Sequence, residues 1–387
     1  MNMSMMPLAA SAARRFEGFV RPETRAEASK AKSVMVLEYA LPLGSCVHMT
    51  PLYEALKRGS PSLTLTVATR GLGLQVLRHS PYVDHLLETP DPLKDVGATA
   101  TALMRAIRQR GLNPDCCLTG VPDERTKIAL LAVLACRGWR GGFTVRGSLY
   151  QRPLLREAGL SQIGNNLRLA EMLGLPSELR EPKVFYSQTN VEAARALLGP
   201  IRVQGRPVLA VVACNSGGQR TGWHEDRWVT VLRECFGRMG FAVVYVGTAA
   251  DSEAIETLRG KAGGIGISLA GKTNVNELAA VLALSDMVVA IDTGTMHVGR
   301  AVEVPMVVLG PSWQKPLEWL PLGKPQVRIL RGEDRVGVPE GYRLDEISAE
   351  SVVAALHELR GLYPTSEAAR EARVAAGLSE IDLLRGR

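Results

Sequence analysis

The apolar run MVVAI (287–291) ends on Asp292, and Thr293, Gly294 and Thr295 follow without a break. Asp292 thus lies at the expected carboxyl end of a central strand. The amides of residues 293–296, where the pattern turns helical, suit phosphate oxygens, and Gly294 lets the backbone come close. The competing role is local, with Asp292 as a helix cap and Gly294 as a turn residue.

Two more loops follow apolar runs in the same half of the chain. NSGGQRTGWHEDRW (215–228) follows VLAVVAC and offers Arg220 and Thr221, and LGPSWQKPLEWLP (309–321) follows PMVVL and offers Ser312. Amides, hydroxyls and one guanidinium gathered at the strand ends of one sheet form a pocket suited to a diphosphate.

The scaffold that must present these loops is legible in the alternation of short apolar runs with helical patterns. SVMVLE (33–38), SLTLTVAT (62–69), VDHLLET and DCCLTG (115–120) read as strands, with a loop YALPLGSC and a helix MTPLYEALKR after the first. Pro51 then falls near that helix's first turn. The rhythm breaks over residues 176–206, rich in proline and charge, and restarts at Val208. Helix DRWVTVLRECFGRMG, strand FAVVYVG, helix DSEAIETLRGKA and helix VNELAAVLALSD follow, the last opened by Asn274 and Glu277 at capping-box spacing. Such alternation predicts α/β units with parallel sheets covered on both faces, and ligands bind beyond the carboxyl ends of such strands. The expected division is a flexible extension over 1–32, one Rossmann-like domain over 33–190, a second over 200–345, and a helical tail over 346–387.

A chain of 387 residues suits two domains, and 46% hydrophobic with 22% charged residues excludes a disordered protein. No apolar run approaches the ~18 residues of a membrane span. The formal charge of +7 accords with an anionic ligand, while nothing resembling an aromatic platform or a helix-turn-helix argues for nucleic acid. The six cysteines never form CxxC and lack histidines at zinc-ligand spacing, so they read as small hydrophobes of a reducing compartment, with no metal site.

The segments IDTGTMHVGRAVEVPMVVLGPS (291–312), TGWHEDRW (221–228) and LGSCVHMTPLYEALKRGSPSLTLTVATR (43–70) resemble the bacterial heptosyltransferases of lipopolysaccharide synthesis, glycosyltransferase family nine, over roughly residues 33–330. The resemblance implies the GT-B fold, two Rossmann-like domains facing each other across a cleft, acceptor in the first and donor in the second. It implies inverting transfer of a heptose from an ADP-activated donor to a lipid-linked or saccharide acceptor, without a cofactor or metal, at the cytoplasmic side of the inner membrane. The implied donor residues are Arg220, Thr221, Asp292, Thr293, Gly294, Thr295 and Ser312, with His297 bracing the turn.

This chain departs from the family at two places. The family's Gly-Asp, whose aspartate is the usual base, is Gly44-Ser45 here, and the lysine two residues before the tryptophan is Thr221. The candidates for proton transfer are therefore Glu38, which stands where the family places a basic residue, Ser45, which otherwise caps the next helix, and His48. The second functional class consistent with these departures is a binding or scaffold protein that keeps the donor fold without turnover.

Overall fold

The computed structural model describes residues 30–39, 42–136, 138–202, 205–215 and 221–384. The expected extension, up to residue 29, and Arg220 lie outside the described residues. The chain divides into two compact units, one running to Pro182 and including the described residues from Ile381, the other Lys183–Glu380.

In the first unit, strands β1 (Ser33–Leu37), β2 (Thr64–Thr69), β3 (His85–Glu88), β4 (Cys116–Thr119), β5 (Trp139–Phe143) and β6 (Arg152–Leu154) form one sheet in the order β3-β2-β1-β4-β5-β6. All of its pairings are parallel. Helices α1 (Leu43–Gly59), α2 (Leu72–Leu77), α3 (Val96–Gln109), α4 (Thr126–Ala135) and α5 (Gln162–Glu171) complete it. The strand order reverses between β1 and β4, which places Glu38, just after β1, and Asp123, just after β4, at the switch point where doubly wound sheets bind ligands.

Helix α1 begins six residues before the expected MTPLYEALKR. Pro42, extended at φ −62° and ψ 131°, is its N-cap and offers no side-chain hydrogen bond, so Ser45 lies inside the first turn and does not cap. The residues from Gly44 to Leu56 are buried, and that packing outweighs the glycine and serine that suggested a loop. Pro51 consequently sits in the helix interior, where it removes the amide that would bond the Val47 carbonyl. The Thr50 hydroxyl donates to that carbonyl instead, at 2.8 Å.

The second unit holds α6 (Gln188–Arg202), β7 (Val208–Val212), α7 (Glu225–Gly237), β8 (Ala242–Tyr245), α8 (Ser252–Lys261), β9 (Ile267–Ser268), α9 (Val275–Leu284) and β10 (Met287–Ile291). It continues with α10 (Gly294–Ala301), β11 (Met306–Leu309), α11 (Pro316–Trp319), β12 (Val327–Leu330), α12 (Ala349–Leu362) and α13 (Glu367–Gly377). Its sheet runs β12-β11-β10-β7-β8-β9, again parallel in every pairing, with the reversal between β10 and β7.

The local signals for this unit act as expected. Asn274 accepts from the Glu277 amide and Glu277 accepts from the Asn274 amide, both at 2.9 Å, closing the capping box of α9. At the other end of that helix Arg202 donates to the Leu284 carbonyl, and Arg373 donates to the carbonyls of Ala283 and Ser285. Asp286, nearly fully buried, receives the Val208 amide at 2.8 Å and Arg370 at 2.6 Å, tying α13 to the start of β7. Among the described residues no helix is long and apolar enough to cross a membrane.

Candidate functional site

Asp292 follows β10 directly, at the switch point of the second sheet, and is only 4% exposed. Burial raises its carboxyl from an ordinary 3.8 to about 6, because the charged form loses its hydration. His297, one turn into α10, lies with Nε2 3.7 Å from Asp292 Oδ1. That separation resembles an ion pair, but burial and then the nearby Arg300 lower the imidazole to about 3. The ring is neutral at physiological pH, and the distance exceeds a hydrogen bond.

Thr293 is the N-cap of α10 in extended conformation, φ −149° and ψ 171°, yet its side chain makes no capping bond. Its Oγ1 is buried with no hydrogen-bond partner, a costly arrangement for a hydroxyl. Gly294 and Thr295 form the first residues of α10, and both are partly exposed. The turn thus presents an unpartnered hydroxyl, helix-start amides that have no partner within the helix, and a carboxylate together. These groups suit an anion that also carries hydroxyls.

The other two loops contribute differently from what their sequences suggest. Thr221 is fully buried, and its Oγ1 accepts from Asn215 Nδ2 at 2.6 Å. Ser312 is 1% exposed, and its hydroxyl lies 3.0 Å from that of Tyr342, which in turn donates to Glu346 at 2.7 Å. Both hydroxyls are therefore engaged within the fold.

The residue that the sequence reading passed over is Gln314. With the amide oriented so that each of its atoms meets a complementary partner, its nitrogen donates to Asp292 Oδ2 at 3.2 Å and its oxygen accepts from Trp319 Nε1 at 2.9 Å. The available signal was positional, since Gln314 stands in the loop after β11 and β11 pairs with β10.

In the first unit, Glu38 has no exposed surface and receives the Tyr53 hydroxyl. Burial pushes its carboxyl up to about 8; the Tyr53 bond opposes this and the nearby Asp123 adds to it. Asp123 is itself buried and accepts the Tyr39 amide at 2.8 Å. Ser45 and His48 both lie in α1 and are buried, at 6% and 1% exposure. Glu38, just after the interior strand β1, and Ser45 and His48, in the helix that follows, are thus all buried. Five of the six cysteines are buried and Cys214 is partly so, none of them in a disulfide.

Residues 124–335 match the sequence model of Glycosyltransferase family 9 (heptosyltransferase). The chain is 31% identical over 181 residues to lipooligosaccharide heptosyltransferase 2 of Haemophilus influenzae, covering 43% of this chain and 50% of that protein. It is 26% identical over 164 residues to lipopolysaccharide heptosyltransferase 2 of Salmonella typhimurium, covering 40% and 47%. The chain thus spans about half the length of the curated relatives it matches. Among solved structures, a family 9 glycosyl transferase of Veillonella parvula superposes with a TM-score of 0.75 at 19% identity, over 87% of this chain and 98% of that one. The E. coli ADP-heptose lipopolysaccharide heptosyltransferase II gives a TM-score of 0.71 at 19% identity, over 86% and 100%. These likenesses establish the two-domain α/β fold.

Proposed function

This chain belongs to glycosyltransferase family 9 (heptosyltransferase), and on that premise we propose that it moves a heptose from an ADP-activated donor to a lipopolysaccharide-type acceptor, with inversion. The observation that carries the reading is the turn Asp292–Thr293–Gly294 at the end of β10. An unpartnered buried hydroxyl and the amides of the first turn of α10 sit there beside a carboxylate.

The chemistry divides between these groups. The helix-start amides of α10 and Thr293 Oγ1 receive the donor phosphates and stabilise the negative charge that grows on the departing nucleotide. A carboxylate repels phosphate, so Asp292 belongs on the sugar side and accepts from sugar hydroxyls. Ionisation near 6 makes donor binding strengthen as pH rises through that value.

On the acceptor side Glu38 is the candidate base. A carboxyl titrating at about 8 is far more basic than an ordinary glutamate and is matched to taking a proton from a hydroxyl near neutral pH. Among the described residues no carboxylate is bonded to Ser45, which packs within α1, as does His48. One displacement, with the acceptor oxygen attacking as the nucleotide leaves, inverts the anomeric centre. The acceptor is a saccharide carried by a lipid, and the protein meets it peripherally at the inner face of the membrane.

The test is incubation with ADP-heptose and a core-saccharide acceptor, following ADP release and the anomeric proton of the product. Formation of an inverted glycoside that disappears in Asp292→Ala is expected. Consumption of a GDP- or UDP-sugar in preference to the ADP form, or turnover unaffected by Asp292→Ala, overturns the assignment.

A further inference from the structure

We propose that Gln314 is a positioning residue for Asp292, anchored by Trp319, which holds carboxylate oxygen Oδ2 and thereby leaves Oδ1 for a ligand hydroxyl. The inference rests on the donor-site reading of Asp292 for its functional consequence, although its geometry stands independently.

The orientation of the Gln314 amide follows from its two neighbours. A carboxylate only accepts and an indole N–H only donates, so the amide nitrogen must face Asp292 Oδ2, at 3.2 Å, and the amide oxygen must face Trp319 Nε1, at 2.9 Å. Reversal would set acceptor against acceptor and donor against donor. The Trp319 ring also lies against His297, centroids 5.9 Å apart and planes inclined at 54°. Asp292, Gln314, Trp319 and His297 thus close a ring of contacts linking the end of β10, the loop after β11, α11 and α10.

Gln314 is held from outside that ring as well. Arg331 donates to its backbone carbonyl at 3.1 Å and to that of Pro311 at 3.2 Å. The loop is therefore fixed before any ligand arrives, which lowers the ordering cost of binding.

The two carboxylate oxygens consequently differ. Oδ2 is fixed by a neutral donor, whereas Oδ1 faces the neutral His297 ring at 3.7 Å, too far to bond. Among the described residues the charged and titratable groups facing this carboxylate are His297 and, acting on that ring, Arg300. Among the same described residues the only ion-pair distance to this carboxylate is that of the neutral His297 ring. The amide N–H favours the ionised carboxylate and opposes the effect of burial.

The deciding experiment titrates the ligand-free protein, labelled with 13C at aspartate carboxyls, by NMR, with the Asp292 resonance identified through Asp292→Asn. In Gln314→Leu the Asp292 midpoint should move upward by about one pH unit or more, the equivalent of one lost hydrogen bond to a charged group. Trp319→Phe, which keeps the ring but loses the N–H, should move it in the same direction by less. The acid limb of kcat/KM for ADP-heptose should shift with the carboxyl midpoint, and activity of Gln314→Leu should recover at high pH. A residue that only braced the loop would lower the melting temperature and leave the midpoint unmoved. An unmoved Asp292 midpoint in folded Gln314→Leu overturns the inference, whatever the donor does. A moved midpoint with donor binding unchanged at every pH leaves Gln314 in control of the carboxyl and instead overturns the donor-site reading.

Discussion

Replacing Glu38 with glutamine should make the protein more stable at alkaline pH, by an amount that grows with pH. The carboxyl is wholly buried against Tyr53 near a second buried carboxyl, Asp123, and its ionisation moves from an ordinary 4.5 to about 8. The folded state therefore holds a proton that the unfolded chain has released, and the direction of the pH effect follows. The stability associated with the protonated form is complete below about pH 4.5 and is lost as pH rises through about 8. A displacement of that size corresponds to about 5 kcal/mol in total, of which about 3 kcal/mol falls between roughly pH 5.5 and 8.5.

Glutamine keeps an oxygen to accept the Tyr53 hydroxyl and has no charge to bury, so Glu38→Gln removes this dependence and little else. Urea unfolding of both proteins at the two pH values gives the double difference, in which all other titrating groups cancel. Glu38→Gln should gain about 3 kcal/mol relative to wild type on going from the lower to the higher pH. A gain below about 1 kcal/mol would mean that Glu38 ionises in the fold much as an exposed carboxyl does, and would refute both the burial argument and the basicity assigned to it. The same variant should lose transfer activity if Glu38 is the base, so stability and activity move in opposite directions.

Asp292→Asn should be more stable than wild type by about 3 kcal/mol at pH 7.5 but by only about 1.6 kcal/mol at pH 5, since the carboxyl rises from 3.8 to about 6 on folding and its stabilising protonated form is lost across that window; thermal unfolding at the two pH values reads the difference of about 1.4 kcal/mol. Asp286→Ala should destabilise the second unit by roughly 3–5 kcal/mol, because Arg370 and the Val208 amide both lose a buried partner. Chemical denaturation checks it, and a loss within 1 kcal/mol would show that water replaces the carboxylate. Ser312→Ala should cost roughly 1–2 kcal/mol through the lost bond to Tyr342, while leaving donor affinity within about twofold if that hydroxyl is structural.

The parallel alternation was legible because each buried strand is a run of apolar residues bounded by turn chemistry, as in VLAVV and MVVAI. Strand β5 was not, since WRGGF carries two glycines and an arginine. It pairs in the sheet because Gly142, at φ +133°, meets the Thr119 backbone so closely that an added Cβ would lie 2.3 Å from the carbonyl oxygen. The start of α1 was misplaced for the opposite reason, since Pro42 and Gly44 read as loop while tertiary burial of the following residues carries the helix back to Leu43. The site was legible where one continuous segment makes it, Asp292 to Thr295. Sequence spacing did not reveal that Ser312 and Thr221 spend their hydroxyls on Tyr342 and Asn215, or that Gln314 reaches back to Asp292 across neighbouring strand ends. Contacts of that kind depend on sheet order, which local pattern does not encode.

A nucleotide-sugar held at the end of β10 is the central claim. Calorimetric titration of ADP-heptose into wild type and into Asp292→Ala measures this directly, with GDP- and UDP-sugars as competitors. Saturable binding that prefers the ADP form and weakens tenfold or more in a folded Asp292→Ala, about 1.4 kcal/mol or greater, is the predicted result. Equal affinity in the two proteins would place the donor elsewhere and contradict the central claim.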